Sequence, residues 1–273
     1  MPVQIDSVLE DREGLKVLTW PVFEDVGIDV IVTTRAGGVS EGAYSSLNLG
    51  MHVGDEDDRV VENRERAALA AGAKLDDLVF ARQTHGRGVA VVDGSHRGTG
   101  ARSEADAIAD TDALVTSDAG VGLVMMAADC TPIVLADPVA GVVGCVHSGW
   151  RGTVARVTEA AVSEMVRWGA KVERIVAAVG PNVAADRYQV GEDVVAGAKK
   201  GFGDLDGLVE PDGTGRWTFD LWAANLRLLA EVGIRPDNTH RSEWPTGTAG
   251  GELFFSDREA RPCGRLAAII RRR

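Results

Sequence analysis

The sequence predicts an α+β fold built on a mixed β-sheet core, with residues 1–273 forming a single domain. Three observations carry this expectation. Short Val-rich runs bounded by Gly, Asp and Pro recur along the chain, the pattern of buried strands. Segments with helical apolar spacing stand among them in no strict strand–helix–strand rhythm. No fixed-period repeat, long low-complexity stretch or internal boundary divides the chain. At 45% hydrophobic and 26% charged residues, the composition is that of an ordinary globular protein.

Residues 28–34 (IDVIVTT) read as a strand ending in Arg35-Ala36-Gly37-Gly38, a tight turn with close backbone approach. Residues 39–55 are polar and Gly-rich and read as a long ordered loop. A helix follows, capped by Asp57 or Asp58 and ended by Gly72. Residues 78–83 (LVFARQ) form a strand that stops at Thr84-His85-Gly86, and further strands fall at 113–116, 121–127, 132–136 and 142–147. Val154, Val157, Ala161, Met165 and Trp168 line one face of a helix closed by Gly169. A strand at 174–179 and a helix at 190–201 come next. Leu221, Ala224, Leu228 and Val232 mark a helix capped by Asp220 and ended by Gly233. Strands near 253–256 and 266–271 complete the chain.

The formal net charge is −12, from 29 Lys+Arg against 41 Asp+Glu. Such a surface repels phosphate backbones, which argues against nucleic acid as a partner but leaves room for a local cationic pocket. Arg271-Arg272-Arg273, the only basic run, reads as a solvated tail. The most apolar window, 121–146, is broken by Asp129, Cys130, Pro132, Asp137 and Pro138, so no membrane span is expected. The first thirty residues are acidic and lack a basic-then-apolar leader, which points to the cytoplasm. Three cysteines are too few for a disulfide framework.

Three strand ends carry metal-capable side chains: Gln83-Thr84-His85-Gly86, Ala128-Asp129-Cys130-Thr131-Pro132 and Cys145-Val146-His147-Ser148-Gly149-Trp150-Arg151-Gly152. Strand ends are rigid, so such side chains can converge on one point. Two imidazoles and a thiolate suit tetrahedral zinc with a fourth position open, a catalytic type of site. A core role for Cys130 is the alternative, and so is a nucleophilic one with His147 or His85 as base and Asp129 nearby. Cys145 reads as one position off the ligand parity and Cys263 as incidental in a polar loop. His52 reads as a loop donor or a support to the site, and His96 and His240 as solvated. Arg35, beside its glycines, and Arg151, at the start of a helix, suit an anion.

Several segments resemble the YfiH family, the multicopper polyphenol oxidoreductase or laccase-domain family. They are Thr-Thr-Arg-Ala-Gly-Gly-Val-Ser (33–40), Ser-Leu-Asn-Leu-Gly (46–50), Gln-Thr-His-Gly (83–86), Asp-Ala-Leu-Val-Thr (112–116), Ala-Asp-Cys-x-Pro-Ile (128–133) and His-Ser-Gly-Trp-Arg-Gly (147–152). Val-Gly-Pro-Asn (179–182), Tyr-Gln-Val-Gly (188–191) and Phe-Phe-Ser-Asp-Arg (254–258) continue the match to the end of the chain. The resemblance implies one α+β domain with mixed sheets sandwiched between helices, related to cytotoxic-factor deamidase toxins. It places the family's metal residues on His85, Cys130 and His147, and makes Arg35, Asn48 and Arg151 the substrate-binding candidates. One motif departs: the family's Ser-Tyr-Arg-Arg is here Ser256-Asp257-Arg258-Glu259, with one cation fewer.

The resemblance implies phosphorolysis of adenosine, inosine, guanosine and methylthioadenosine, with adenosine deamination, so a small-molecule nucleoside and phosphate are the expected partners. Zinc is the expected cofactor and copper the lesser one, because five histidines cannot build a multicopper cluster. A cysteine-type hydrolase or peptidoglycan-precursor editing factor, and a copper-dependent polyphenol oxidase, are the alternatives. A binding module without catalysis ranks last.

Overall fold

The computed structural model describes residues 3–273. Strands β1 (Val8–Arg12), β2 (Leu15–Thr19) and β3 (Ile28–Thr33) precede helix α1 (Asp57–Ala70). Strands β4 (Leu78–Phe80), β5 (Val89–Val91), β6 (Ala113–Thr116), β7 (Gly122–Ala127), β8 (Thr131–Asp137) and β9 (Val142–Ser148) follow. Helices α2 (Trp150–Val154) and α3 (Val157–Arg167) lead to β10 (Val176–Val179), β11 (Gln189–Val190) and α4 (Glu192–Phe202). The chain ends with β12 (Val209–Pro211), β13 (Trp217–Phe219), α5 (Leu221–Glu231), β14 (Thr239–Arg241) and β15 (Leu266–Arg272).

The architecture is α+β, as expected. One mixed six-stranded sheet runs β1-β2-β3-β15-β7-β4, a second runs β14-β10-β8-β9-β6-β5, and a small antiparallel sheet runs β11-β13-β12. The two large sheets face each other across a core that includes Val32, Leu123, Met125, Val134, Cys145 and Ala268. Ala67 and Ala68 of α1 close the outer face of the first sheet. Val157, Ala161 and Met165 of α3 close the outer face of the second. Each sheet is therefore apolar on both faces, which is why its strands read as continuous rather than alternating hydrophobic runs. No helix among the described residues is long and apolar enough to cross a membrane.

Several expectations need correction. The helix expected from Val154 to Trp168 is two helices, because Arg156 adopts a left-handed conformation (φ 65°) between them. The C-cap residue Trp168 lies at the surface instead of on the apolar face. Neither Asp57 nor Asp58 caps α1: Glu56 holds the N-cap position and makes no side-chain capping bond. Residues 253–256 are not a strand. Arg271 and Arg272 belong to β15 and bond Asp29 and the Ser117 carbonyl, so the basic run is no solvated tail. His240 is buried in β14 and bonds Asp6 at 2.9 Å.

Candidate metal centre

Both large sheets and the crossover between them bring three side chains together. Cys130 lies on the link from β7 in one sheet to β8 in the other, immediately before Thr131. Thr131 pairs with Ser148 and Pro132 with His147, so Cys130 emerges beside the end of β9. His85 arrives on the loop after β4. Its ring meets that of His147 edge-on, with centroids 4.8 Å apart. The ligand atoms of His85, Cys130 and His147 all lie within 4.8 Å of one another. Tetrahedral zinc with these donors needs ligand–ligand separations of about 3.4–3.8 Å, so small side-chain shifts close the site. Gly149 makes this room: a Cβ there would stand 2.6 Å from Cys130 Sγ and 3.2 Å from His85 Cδ2.

Asp112 organises both histidines. His147 Nδ1 hydrogen-bonds Asp112 Oδ1 at 2.8 Å, which leaves Nε2 for a metal. The same carboxylate accepts from the backbone N–H groups of Thr84 (3.2 Å), His85 (3.0 Å) and Gly86 (2.7 Å), gathering the His85 loop around it. That wrap holds His85 at φ 59°; Asp129, before Cys130, stands at φ 88°. Two non-glycine residues in this region, each at a cost of about 1–3 kcal/mol, are strain stored where the ligands converge. Asp129 is anchored by Thr246 Oγ1 (2.6 Å) and the Arg258 backbone N–H (2.6 Å), and burial pushes its carboxyl up.

The electrostatics prepare a thiolate. Burial resists ionisation of Cys130, but the charge and hydrogen bond of His147, with the bond from His85, outweigh it and lower the thiol pKa. Burial likewise opposes charge on His147, while Cys130 and Asp112 raise it. Asp112 is brought down to about 2: burial works against this, and His147 with the Gly86 and Thr84 N–H groups prevails.

A cavity of about 510 Å³ opens on the three ligands. Six arginines line it (Arg64, Arg82, Arg151, Arg258, Arg261 and Arg265) against three acids (Glu104, Asp129 and Asp257). A chain of charge −12 thus keeps a locally cationic pocket, which suits an anion.

Residues 29–273 match the family described as multi-copper polyphenol oxidoreductase laccase. The chain belongs to this family. Adenosine deaminase RL5 from an unknown prokaryotic organism is 42% identical over 218 residues, covering 80% of this chain and 83% of that protein. A purine nucleoside phosphorylase of Deinococcus radiodurans is 40% identical over 260 residues, covering 94% of this chain and 93% of that one. The crystal structure of the Bacillus licheniformis hypothetical protein YfiH superposes with a TM-score of 0.90 at 30% identity, over 94% of this chain and 96% of that chain.

In this member of the laccase-like family the structure sorts the sequence candidates. His85, Cys130 and His147 come together, and Arg151 lines the same cavity with its guanidinium 4.4 Å from the Trp150 ring. Arg35 does not reach the cavity: it donates to the Ser45 carbonyl (3.1 and 2.9 Å) and lies over Phe255. Asn48 is fully buried and bonds Gly50 and Asp55, while its Oδ1 accepts from the Arg265 N–H at 2.9 Å. Neither residue lines the cavity. The helix at Arg151 has five residues, too short for its dipole to make an anion site.

Cys145 shares the parity of His147, contrary to the expectation, but sits two residues deeper in the core, where burial pushes its thiol up to about 12. Cys263 is buried, with Arg265 beside its sulfur. In the departing motif, Glu259 turns away to bond Thr248, while Asp257 pairs with Arg261 and Arg265. Sequence reasoning missed Asp112, Arg82, Glu104 and Tyr188. Asp112 and Tyr188 stood in quoted motifs, but with no role attached to either; Arg82 and Glu104 carry no local signal.

Proposed function

We propose that the protein is a zinc-dependent purine nucleoside phosphorylase acting on adenosine, inosine, guanosine and methylthioadenosine, with adenosine deaminase activity. The observation that carries this is the convergence of His85, Cys130 and His147 on a cationic cavity of nucleoside-compatible size. The names of the relatives supply the purine nucleoside chemistry. Two imidazoles and a low-pKa thiol suit zinc, and a lone three-donor group among the described residues does not suit a multicopper cluster.

When bound, zinc supplies a Lewis acid and activates water for attack on a purine carbon. The chain does the remaining work. Asp112 fixes the His147 ring, and Arg82 and Arg151 hold phosphate. Those two guanidinium groups make no hydrogen bond or ion pair with a described residue, whereas Arg64, Arg258, Arg261 and Arg265 are all committed to protein acceptors. Trp150 and Tyr188 offer aromatic surface to the base.

The line Cys130–His147–Asp112 also favours a second reading, a cysteine-type hydrolase. Product analysis separates them. Zinc-loaded protein incubated with adenosine and phosphate should yield adenine with ribose 1-phosphate, and inosine, and a chelator should abolish both. No purine product with any of the four nucleosides would overturn the proposal.

A further inference from the structure

We propose that Glu104 selects for an intact ribose, its carboxylate accepting hydrogen bonds from the 2′- and 3′-hydroxyls of a nucleoside in the metal cavity. This rests on the reading of that cavity as a nucleoside site. Of the three carboxylates lining it, two are spent: Asp129 on Thr246 and the Arg258 N–H, Asp257 on Arg261 and Arg265. The Glu104 carboxylate, half-buried, makes no hydrogen bond or ion pair with any described residue. Its charge acts on His52 and Arg64, which line the same cavity. Yet Arg64 gives its strong hydrogen bonds to the carbonyls of Leu49 (2.8 Å), Gly100 (2.8 Å) and Ala101 (3.0 Å). Burial, with Arg265, favours the neutral form of His52. Glu104 is thus an acceptor on the cavity wall with no protein donor.

Its backbone is fixed. Ser103 Oγ accepts from the Ala105 N–H, the Glu104 carbonyl accepts from the Ala107 N–H, and the Ile108 N–H bonds the Phe80 carbonyl of β4. A carboxylate on the cavity wall that no protein donor occupies is open to a ligand that brings O–H or N–H donors, and hydrogen bonds to a charged acceptor are the strong ones. Phosphate is excluded by charge. The base edge fits less well, since its donor is N6–H in adenine, beside the acceptor N1, but N1–H in hypoxanthine, so a carboxylate held in one place cannot be matched to both. The ribose hydroxyls are donors that all purine ribonucleosides share, and a cis-diol presents two O–H groups to the two oxygens of one carboxylate.

Titration calorimetry in phosphate-free buffer, where inosine is not turned over, tests this on zinc-loaded protein. The wild type should bind inosine at least about tenfold more tightly than 2′,3′-dideoxyinosine, and Glu104→Gln should reduce that ratio to about threefold or less. Asp106→Asn, an exposed neighbour, should leave it intact. A Glu104→Gln protein that keeps the full preference, or a wild type with none, overturns the inference while leaving the nucleoside reading standing. Equal weakening of both ligands assigns Glu104 to the base and also overturns it. A wild type that binds neither ligand overturns the inference together with the nucleoside reading.

Discussion

Asp112 is the residue on which the centre turns, since one carboxylate orients His147 and gathers the His85 loop. Asp112→Asn removes the charge and at least one acceptor of that set. Zinc affinity, measured by chelator competition, should fall about 10–100-fold. Acid stability tests the same contact. The folded carboxyl titrates near 2 against an ordinary 3.8, so its contribution is full above that ordinary value and is lost as pH falls toward 2. That contribution is worth roughly 2 kcal/mol, and metal-free Asp112→Asn protein should lack that part of the acid dependence. An unchanged zinc affinity would assign His147 another support. The ligands themselves were legible, because each ends an apolar run. Asp112 was not, because nothing in a linear sequence shows that residue 112 faces residues 84–86.

At the scale of elements, the pairing of β8 with β9 sets the centre. Thr131 opposite Ser148 brings Cys130 and Gly149 into contact, and only a residue without a Cβ leaves room for the sulfur. Gly149→Ala should therefore lose most bound metal while the fold remains; retention of full metal content would show that the loop yields. Strands β4, β6, β7, β8, β9, β10 and β15 could be read from their apolar runs, and α5 from its Asp220 cap, which accepts from the Ala223 N–H at 2.9 Å; β5 and β14, three residues each, were too short to stand out. The hairpin of β1 and β2 escaped notice, since its charged first strand is mostly unburied and its turn, Glu13-Gly14, is only two residues. The break at Arg156 was hidden because the apolar spacing continues across it. There the side chain pairs with Glu159 and Glu231, stabilising a conformation that costs about 1–2 kcal/mol.

For the whole molecule, charge is divided between an acidic chain and a cationic cavity. Composition foretold the first and allowed the second, but it could not say which arginines would meet. Arg35, far earlier in the chain than the ligands, was drawn to Ser45 and Phe255, while Arg82 lines the same cavity as Arg151. Arg151→Ala should raise the KM for phosphate about tenfold, the worth of one charge-assisted contact, with metal content unchanged and adenosine deamination less affected. Equal loss of both activities would make Arg151 a nucleoside contact instead. All of this rests on a single zinc held by His85, Cys130 and His147. Elemental analysis of purified wild-type and Cys130→Ala protein tests that claim most directly. About one zinc per chain in the wild type and little in the variant is the expected result. Stoichiometric copper without zinc in the wild type, or a full complement of zinc in Cys130→Ala, would contradict it.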